Sequence, residues 1–197
     1  MVGLQRFGFT PDLLPAVQDF DCGNEPWELV VSEYLKASTT ASESAAASVS
    51  LPTDHPLHAR IWLYVTTEGD LVGFGALAKG SQRYPKPKDD PIPTSVLIYL
   101  AVDKQFHGQP KGPSHERYAA QILRNLIDEA RQLARERSLL TLYVDEASEK
   151  AIRFYRKAGF AELHKTYKDK ATGRLHKRMF LVLDETKAAR TSGSTMP

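Results

Sequence analysis

The sequence has a single cysteine, Cys22, in 197 residues. No internal disulfide can form, which fits a reducing compartment. It has no apolar run near the length that spans a bilayer. Its first residues, MVGLQRFGFTPDLL, lack a charged stretch followed by an apolar core, so no signal peptide is read there and a cytoplasmic location is expected. Neither sign of charge prevails: 26 Lys and Arg stand against 24 Asp and Glu, a formal net charge of +2. No global basic field therefore gathers nucleic acid, and any such contact has to come from a local patch. The six histidines show no H-x-x-x-H spacing, and no metal is expected. There is no internal repeat.

What is present is an ordinary globular composition, 42% hydrophobic and 25% charged. The length suits one domain over 1–185 with a flexible C-terminal tail over 186–197. Two internal stretches read as loops. Residues 36–56, KASTTASESAAASVSLPTDHP, are rich in Ala, Ser and Thr and are expected to be mobile or irregular after a helix end. Residues 79–93, KGSQRYPKPKDDPIP, hold four prolines, which exclude a central strand or a helix interior.

Between them the patterning is regular. WELVVSEYLKA (27–37) has apolar residues at helical spacing. RIWLYVTT and LVGFGALAKG flank EGD, a hairpin signature. TSVLIYLAV (94–102) is a nearly continuous apolar run, as in a strand buried on both faces. HERYAAQILRNLIDEARQLARERS (115–138) is a long amphipathic helix: Ile122, Leu126 and Ala130 form one stripe, with Leu123, Ile127 and Ala134 beside it. Ser114 is placed to cap it, with no capping box because Arg117 stands where Glu would. LLTLYVDE is a strand. SEKAIRFYRKAG is a short helix capped by Ser148 and stopped by Gly159. FAELHKTY and LHKRMFLVL close the chain as a hairpin. This order predicts an α/β (α+β) fold around one mixed sheet, with a right-handed crossover at its strand–helix–strand centre.

The stretch AVDKQFHGQPKGPSHERYAAQIL (101–123) leads from strand to helix through Gly108, Pro110, Gly112 and Pro113. Backbone N–H groups ahead of a helix N-terminus suit a pyrophosphate, and glycine allows close approach. A long turn with no ligand has the same composition.

Two segments carry a resemblance. LIYLAVDKQFHGQ and SEKAIRFYRKAGF are similar to the fourth strand with its pyrophosphate loop, and to the A-x-x-F-Y-x-x-x-G-F helix, of the GNAT superfamily of acetyl-CoA-dependent N-acetyltransferases. Ala151, Phe154, Tyr155, Gly159 and Phe160 sit at the family's offsets, and the likeness runs over roughly residues 60–183. It implies a GNAT-like mixed central sheet of six to seven strands flanked by about four helices. It implies acetyl-CoA as co-substrate, with its pyrophosphate on the N–H groups of His107, Gly108, Gln109, Lys111 and Gly112, and Lys111 adding positive charge. In the family pattern [Q/R]-x-x-G-x-[G/A], Gln105 and Gly108 fit. Pro110 replaces the second small residue and removes a donor, and the loop carries an insertion. The resemblance assigns the pantetheine arm and the acetyl carbonyl to the strand backbone over Leu100, Ala101 and Val102. Ser148 stands where relatives have Asn, and is read as cap or cofactor contact. Tyr155 is implied as general acid to the leaving thiolate, with core packing as its other reading. No general base stands out among Tyr99, Ser95 and Asp145, and a water chain serves equally.

FDCGN (20–24) and DDPIPTSVLIYLAVD (89–103) resemble the GNAT toxins of bacterial toxin–antitoxin pairs, which would make aminoacyl-tRNA the acceptor and an antitoxin the partner. The chain departs from them at Tyr99, where they carry a basic residue, and in the cofactor loop. HKTYKDKATGRLHKR (164–178) holds six cations, Lys165, Lys168, Lys170, Arg174, Lys177 and Arg178. They suit a phosphate backbone or a solvated hairpin edge. Three functions remain open: acetylation of a small-molecule or protein amine, toxin-type acetylation of charged tRNA, and non-catalytic acyl-CoA binding. A homodimer is compatible with each.

Overall fold

The computed structural model describes residues 4–8, 13–24, 26–40, 48–50, 56–83, 91–108, 110–111, 116–133, 138–169 and 173–183. In chain order these form β1 (Gln5–Gly8), α1 (Leu14–Gln18), α2 (Pro26–Thr40), β2 (Ser48–Ser50), β3 (Pro56–Val65), β4 (Leu71–Arg83) and β5 (Pro91–Val102). A 3-10 turn (Lys104–Phe106), β6 (Pro110–Lys111), β7 (Glu116–Arg117), α3 (Tyr118–Leu133), β8 (Ser138–Asp145), α4 (Glu149–Lys157), β9 (Ala161–Lys168) and β10 (Leu175–Leu183) follow. The protein is a mixed α/β fold with an eight-stranded sheet, β2 counted on β3. Among the described residues no helix is long and apolar enough to cross a membrane.

The chain forms two compact units, 1–78 with 97–126 and 79–96 with 127–197, so β4, β5 and α3 contribute to both. In the first unit the strand order is β1–β3–β4–β5, and β2 also pairs with β3. The hairpin read from EGD is antiparallel, with Leu63 opposite Phe74. Its core gathers Val17, Phe20, Leu35, Leu63, Phe74 and Ala101, with Tyr34 and Tyr99 packed against it. Two glycines of β4 are required by packing. A Cβ on Gly73 would run into the Ala101 carbonyl of β5, and one on Gly75 into Leu126 of α3. Cys22 is buried before α2, its Sγ 3.2 Å from the Glu28 carbonyl and 3.3 Å from Ser32 Oγ.

In the second unit the order is β5–β8–β10–β9. Strand β10 pairs antiparallel with β8 from His176 opposite Asp145 to Leu183 opposite Ser138, and with β9 across a bulge between Lys177 and Met179. Leu140, Leu142, Ile152, Phe160, Met179 and Leu183 are buried.

The elements read from periodicity are present, and the α3 stripes Ile122, Leu123, Leu126, Ile127 and Ala130 are all buried. Four expectations need correction. The stretch 36–56 is not wholly irregular, because Ser48–Ser50 pairs with β3; residues 41–47 and 51–55 lie outside the described set. The proline-rich stretch 79–93 is entered by strand from both sides: β4 runs to Arg83 and β5 begins at Pro91, so Pro91 and Pro93 fall within the first three residues of a strand, where proline is tolerated, while Pro85 and Pro87 lie outside the described residues. Helix α3 begins at Tyr118 rather than at 115, because Glu116 and Arg117 pair with Lys111 and Pro110 in a two-residue ladder. Ser114, outside the described residues, therefore lies too early in the chain to cap α3. Strand β1 and helix α1 had no counterpart in the sequence reading. The tail 186–197 is outside the described residues.

Candidate active site

The first unit presents the end of β5 and the loop that leaves it. Ala101 and Val102 are buried and Leu100 is half-buried. Asp103, 6% exposed, turns the chain. Its Oδ1 accepts the Gln105 N–H at 3.0 Å and so caps the 3-10 turn, while its own N–H bonds the Val72 carbonyl at 2.8 Å. Its Oδ2 accepts the Asp21 N–H at 3.0 Å. Lys104 returns the contact: its N–H meets the Asp21 carbonyl at 2.7 Å and its Nζ the Asp21 carboxylate at 2.6 Å. Lys104 holds the Asp21 carboxyl below the usual range, and Asp21 in turn raises the Lys104 ammonium. Neither Asp21 nor Asp103 was singled out in the sequence. The available signal was an Asp two residues before Gln105 at a strand end, the spacing of a side-chain cap on a following turn.

Two of the expected backbone contacts are already engaged. The His107 N–H closes the 3-10 turn on the Lys104 carbonyl at 3.1 Å, so it is not a spare anion donor in this conformation. The His107 ring places Nε2 2.8 Å from the Val102 carbonyl, which can only accept, so Nε2 carries the proton and the carbonyl is occupied. Gly108 follows in a left-handed turn. Its φ is +73°, a left-handed value that favours glycine, and a Cβ there would meet nothing within 4 Å. Lys111 lies in β6, whereas Gln109 and Gly112 fall outside the described residues.

The second unit presents α4. Ser148 occupies the N-cap position, but its side chain makes no capping hydrogen bond, contrary to the expectation that capping is its main role. Its φ of −86° and ψ of 71° lie outside the usual β-region of a capping residue. Tyr155 lies seven residues on, two turns along the same face. It is half-buried, with ring centroids 5.2 Å from Phe154 and 5.7 Å from Phe160. Burial pushes its phenol up to about 12. The turn after Phe154 is closed by Gly159 at φ +94°, where the glycine of the motif is needed.

Each of the three candidate bases is packed or paired. Tyr99 belongs to an aromatic cluster with Tyr34, at 4.5 Å between centroids, and Phe74, and burial raises its phenol. Ser95 is buried. Asp145 accepts the Ala147 N–H at 2.9 Å and pairs with Arg174 at 3.2 Å. It borders an open surface depression with Glu146, Ala147, Arg174 and Leu175. The basic hairpin is partly neutralised. Besides Arg174, Lys177 meets Glu162 at 3.3 Å, and Arg178 lies over the Tyr143 ring at 4.9 Å. Lys168 is exposed, and the side chains of Lys165 and Lys170 are outside the described set. Among the described residues no group of three or more His, Cys, Asp and Glu could hold a metal ion.

Against known proteins, the model of the acetyltransferase (GNAT) family matches residues 27–160. No curated protein matches the chain. Among solved structures, one described as a bacterial toxin is 19% identical, with a TM-score of 0.62 and coverage of 93% of this chain and 92% of that one. The AtaT structure complexed with acetyl-methionyl-tRNAfMet is 19% identical, with a TM-score of 0.58 over 91% of this chain and 95% of that one. A tyrosine-to-phenylalanine mutant of the AtaT toxin, bound to the C-terminus of the antitoxin AtaR and to acetyl-CoA, is 19% identical, with a TM-score of 0.56 over 91% and 93%. At such identities the likeness is one of fold.

Proposed function

Because this chain belongs to the acetyltransferase (GNAT) family, we propose that it moves the acetyl group of acetyl-CoA onto the nitrogen of a primary amine. The observation that carries this reading is Tyr155, on a helix with the family's spacing, with its phenol pushed up to about 12. A phenol held there keeps its proton across the neutral range, as a general acid must. The amine lone pair attacks the thioester carbon and a C–N bond forms. The C–S bond then breaks, and the departing sulfur takes the Tyr155 proton, while water carries away the proton lost by the amine. The burial that raises the phenol would also raise a thiolate beside it, which keeps the transfer from running far uphill. The N–H groups of Gly108, Gln109, Lys111 and Gly112 are the pyrophosphate donors in this reading, and Ser148, free of a capping bond, is left to contact the cofactor. A Tyr155→Phe variant that turned over acetyl-CoA with amines at the wild-type rate across pH would defeat the assignment.

A second acceptor is favoured by the neighbours. A structure of AtaT holds acetyl-methionyl-tRNA, and its fold spans more than nine-tenths of both chains. In this reading the acceptor is the amino group of an aminoacyl-tRNA, the setting is the cytoplasm, and an antitoxin masks the enzyme. Lys168 and Arg174, beside the tip of the β9–β10 hairpin, would meet the RNA backbone, Arg174 exchanging Asp145 for phosphate. Expression should then arrest growth, and Tyr155→Phe should relieve the arrest. Total tRNA should be retarded by the protein at low salt and released as salt rises. No retardation at low salt leaves a small-molecule or protein amine as the acceptor.

A further inference from the structure

We propose that Asp103 is a positioning residue for the cofactor: its buried carboxylate fastens the loop before α2 to the segment that leads into the cofactor loop, so that this loop starts from a fixed point when the pyrophosphate arrives. The proposal rests on the reading of 107–112 as the acetyl-CoA loop.

The contacts form a closed circuit within one unit. Asp103 Oδ1 takes the Gln105 N–H and Oδ2 takes the Asp21 N–H, both at 3.0 Å. The Phe106 N–H returns to the Asp103 carbonyl at 2.9 Å. Asp21 is itself fixed, its Oδ1 by the Gly23 N–H at 2.9 Å and its Oδ2 by Lys104 at 2.6 Å. Farther on, the His107 ring reaches back to the Val102 carbonyl, and Phe106 stacks edge-on against Tyr118 of α3 at 5.5 Å. Segment 102–107 is thereby bound to β4, to α3 and to the loop ahead of α2. Past His107 the left-handed turn begins, at Gly108. A loop ordered before the ligand arrives loses less entropy on binding. A carboxylate suits this position because each oxygen accepts one N–H; an asparagine would set its NH2 against one of them.

The test is acetyl-CoA titration calorimetry on the full chain, with melting temperatures measured without ligand. Asp103→Asn should weaken binding about tenfold or more, as for a lost bond to a charged acceptor. Amide exchange should quicken at Asp21 and Gln105 but not in β8 or β10. Asp21→Lys and Lys104→Asp should each weaken binding severalfold with the ligand-free melting temperature little changed, and the two together should recover most of the loss. A merely structural role would lower the melting temperature in step with affinity and show no recovery in the swap. A folded Asp103→Asn protein with wild-type affinity overturns the proposal, and if that variant does not fold, the charge swap decides. If the wild type itself fails to take acetyl-CoA, the functional reading falls and the positioning role with it, an outcome told apart by the wild-type titration alone.

Discussion

Replacing Gly73 by alanine tests how closely β4 and β5 are set against one another. A Cβ at Gly73 would press into the Ala101 carbonyl oxygen, and would sit 3.1 Å from Val102 Cα and 3.0 Å from Ile122 Cδ1. The isoleucine can turn aside, but the other two atoms are backbone. The end of β5 therefore has to move by several tenths of an ångström, and the bond from the Asp103 N–H to the Val72 carbonyl at 2.8 Å moves with it. Overpacking of this kind costs about 1–3 kcal/mol. In a chain of this size each kcal/mol shifts the melting point by roughly 2–4 °C, so Gly73→Ala should melt roughly 2–12 °C lower. Gly8→Ala is the matched control: it is also a strand glycine with no positive φ, but a Cβ there meets nothing within 4 Å. Its effect should stay within about 0.5 kcal/mol. Thermal and urea unfolding of the three proteins decides the matter. If Gly73→Ala and Gly8→Ala unfold alike, the tight setting of β5 on β4 is wrong. If the reading of Ala101 and Val102 as cofactor contacts is right, the shifted strand also binds acetyl-CoA more weakly.

Tyr155→Phe should lower turnover by roughly tenfold to ten-thousandfold, the span for a lost general acid, with acetyl-CoA affinity nearly kept; single-turnover rates at several pH values check it, and the deficit should shrink in acid. The same residue bears on alkaline stability. Its folded pKa, pushed up to about 12, lies above the ordinary value of 10.0. The stability linked to that proton is intact below about pH 10 and drains away towards about pH 12, at most about 2.7 kcal/mol. Urea midpoints at about pH 9 and about pH 11.5 should show the wild type losing ground to Tyr155→Phe, and parallel losses would contradict the burial of the phenol. Gly108→Glu should abolish acetyl-CoA binding in a folded protein, since it adds negative charge and a Cβ at φ +73°; titration calorimetry with unchanged affinity would remove the loop from the cofactor site.

Periodicity was enough for α3 and α4 because their burial follows their own sequence: Ile122, Leu123, Leu126, Ile127 and Ala130 of the α3 stripe are inside, Ala134 lying outside the described residues. It was not enough where a partner strand makes the element. β1 is four residues with every side chain exposed, and only its ladder with β3 makes it a strand. β2 and the β6–β7 ladder are two or three residues long, too short for any period to register. The left-handed turns at Gly108 and Gly159 and the place of Tyr155 on α4 were legible because each follows from a local spacing. The engagement of the His107 N–H and the Val102 carbonyl was not, because both depend on a turn stabilised by Asp103. Nor was the role of Asp21, whose bonds to Asp103 and Lys104 reach more than eighty residues along the chain.

The solitary thiol makes the chain its own reporter. Cys22 is 3% exposed, burial pushes its thiol up, and its neighbour Asp21 holds the bonds to Asp103 and Lys104. An alkylating reagent needs an accessible thiolate, and the folded protein offers neither accessibility nor ionisation. Labelling must then wait for the loop around Cys22 to open, and its rate at a fixed pH counts those openings. No engineered probe and no second cysteine would complicate the signal. Slower labelling when a ligand is added would mean that the ligand draws this loop closed, read directly from the mass of the intact protein.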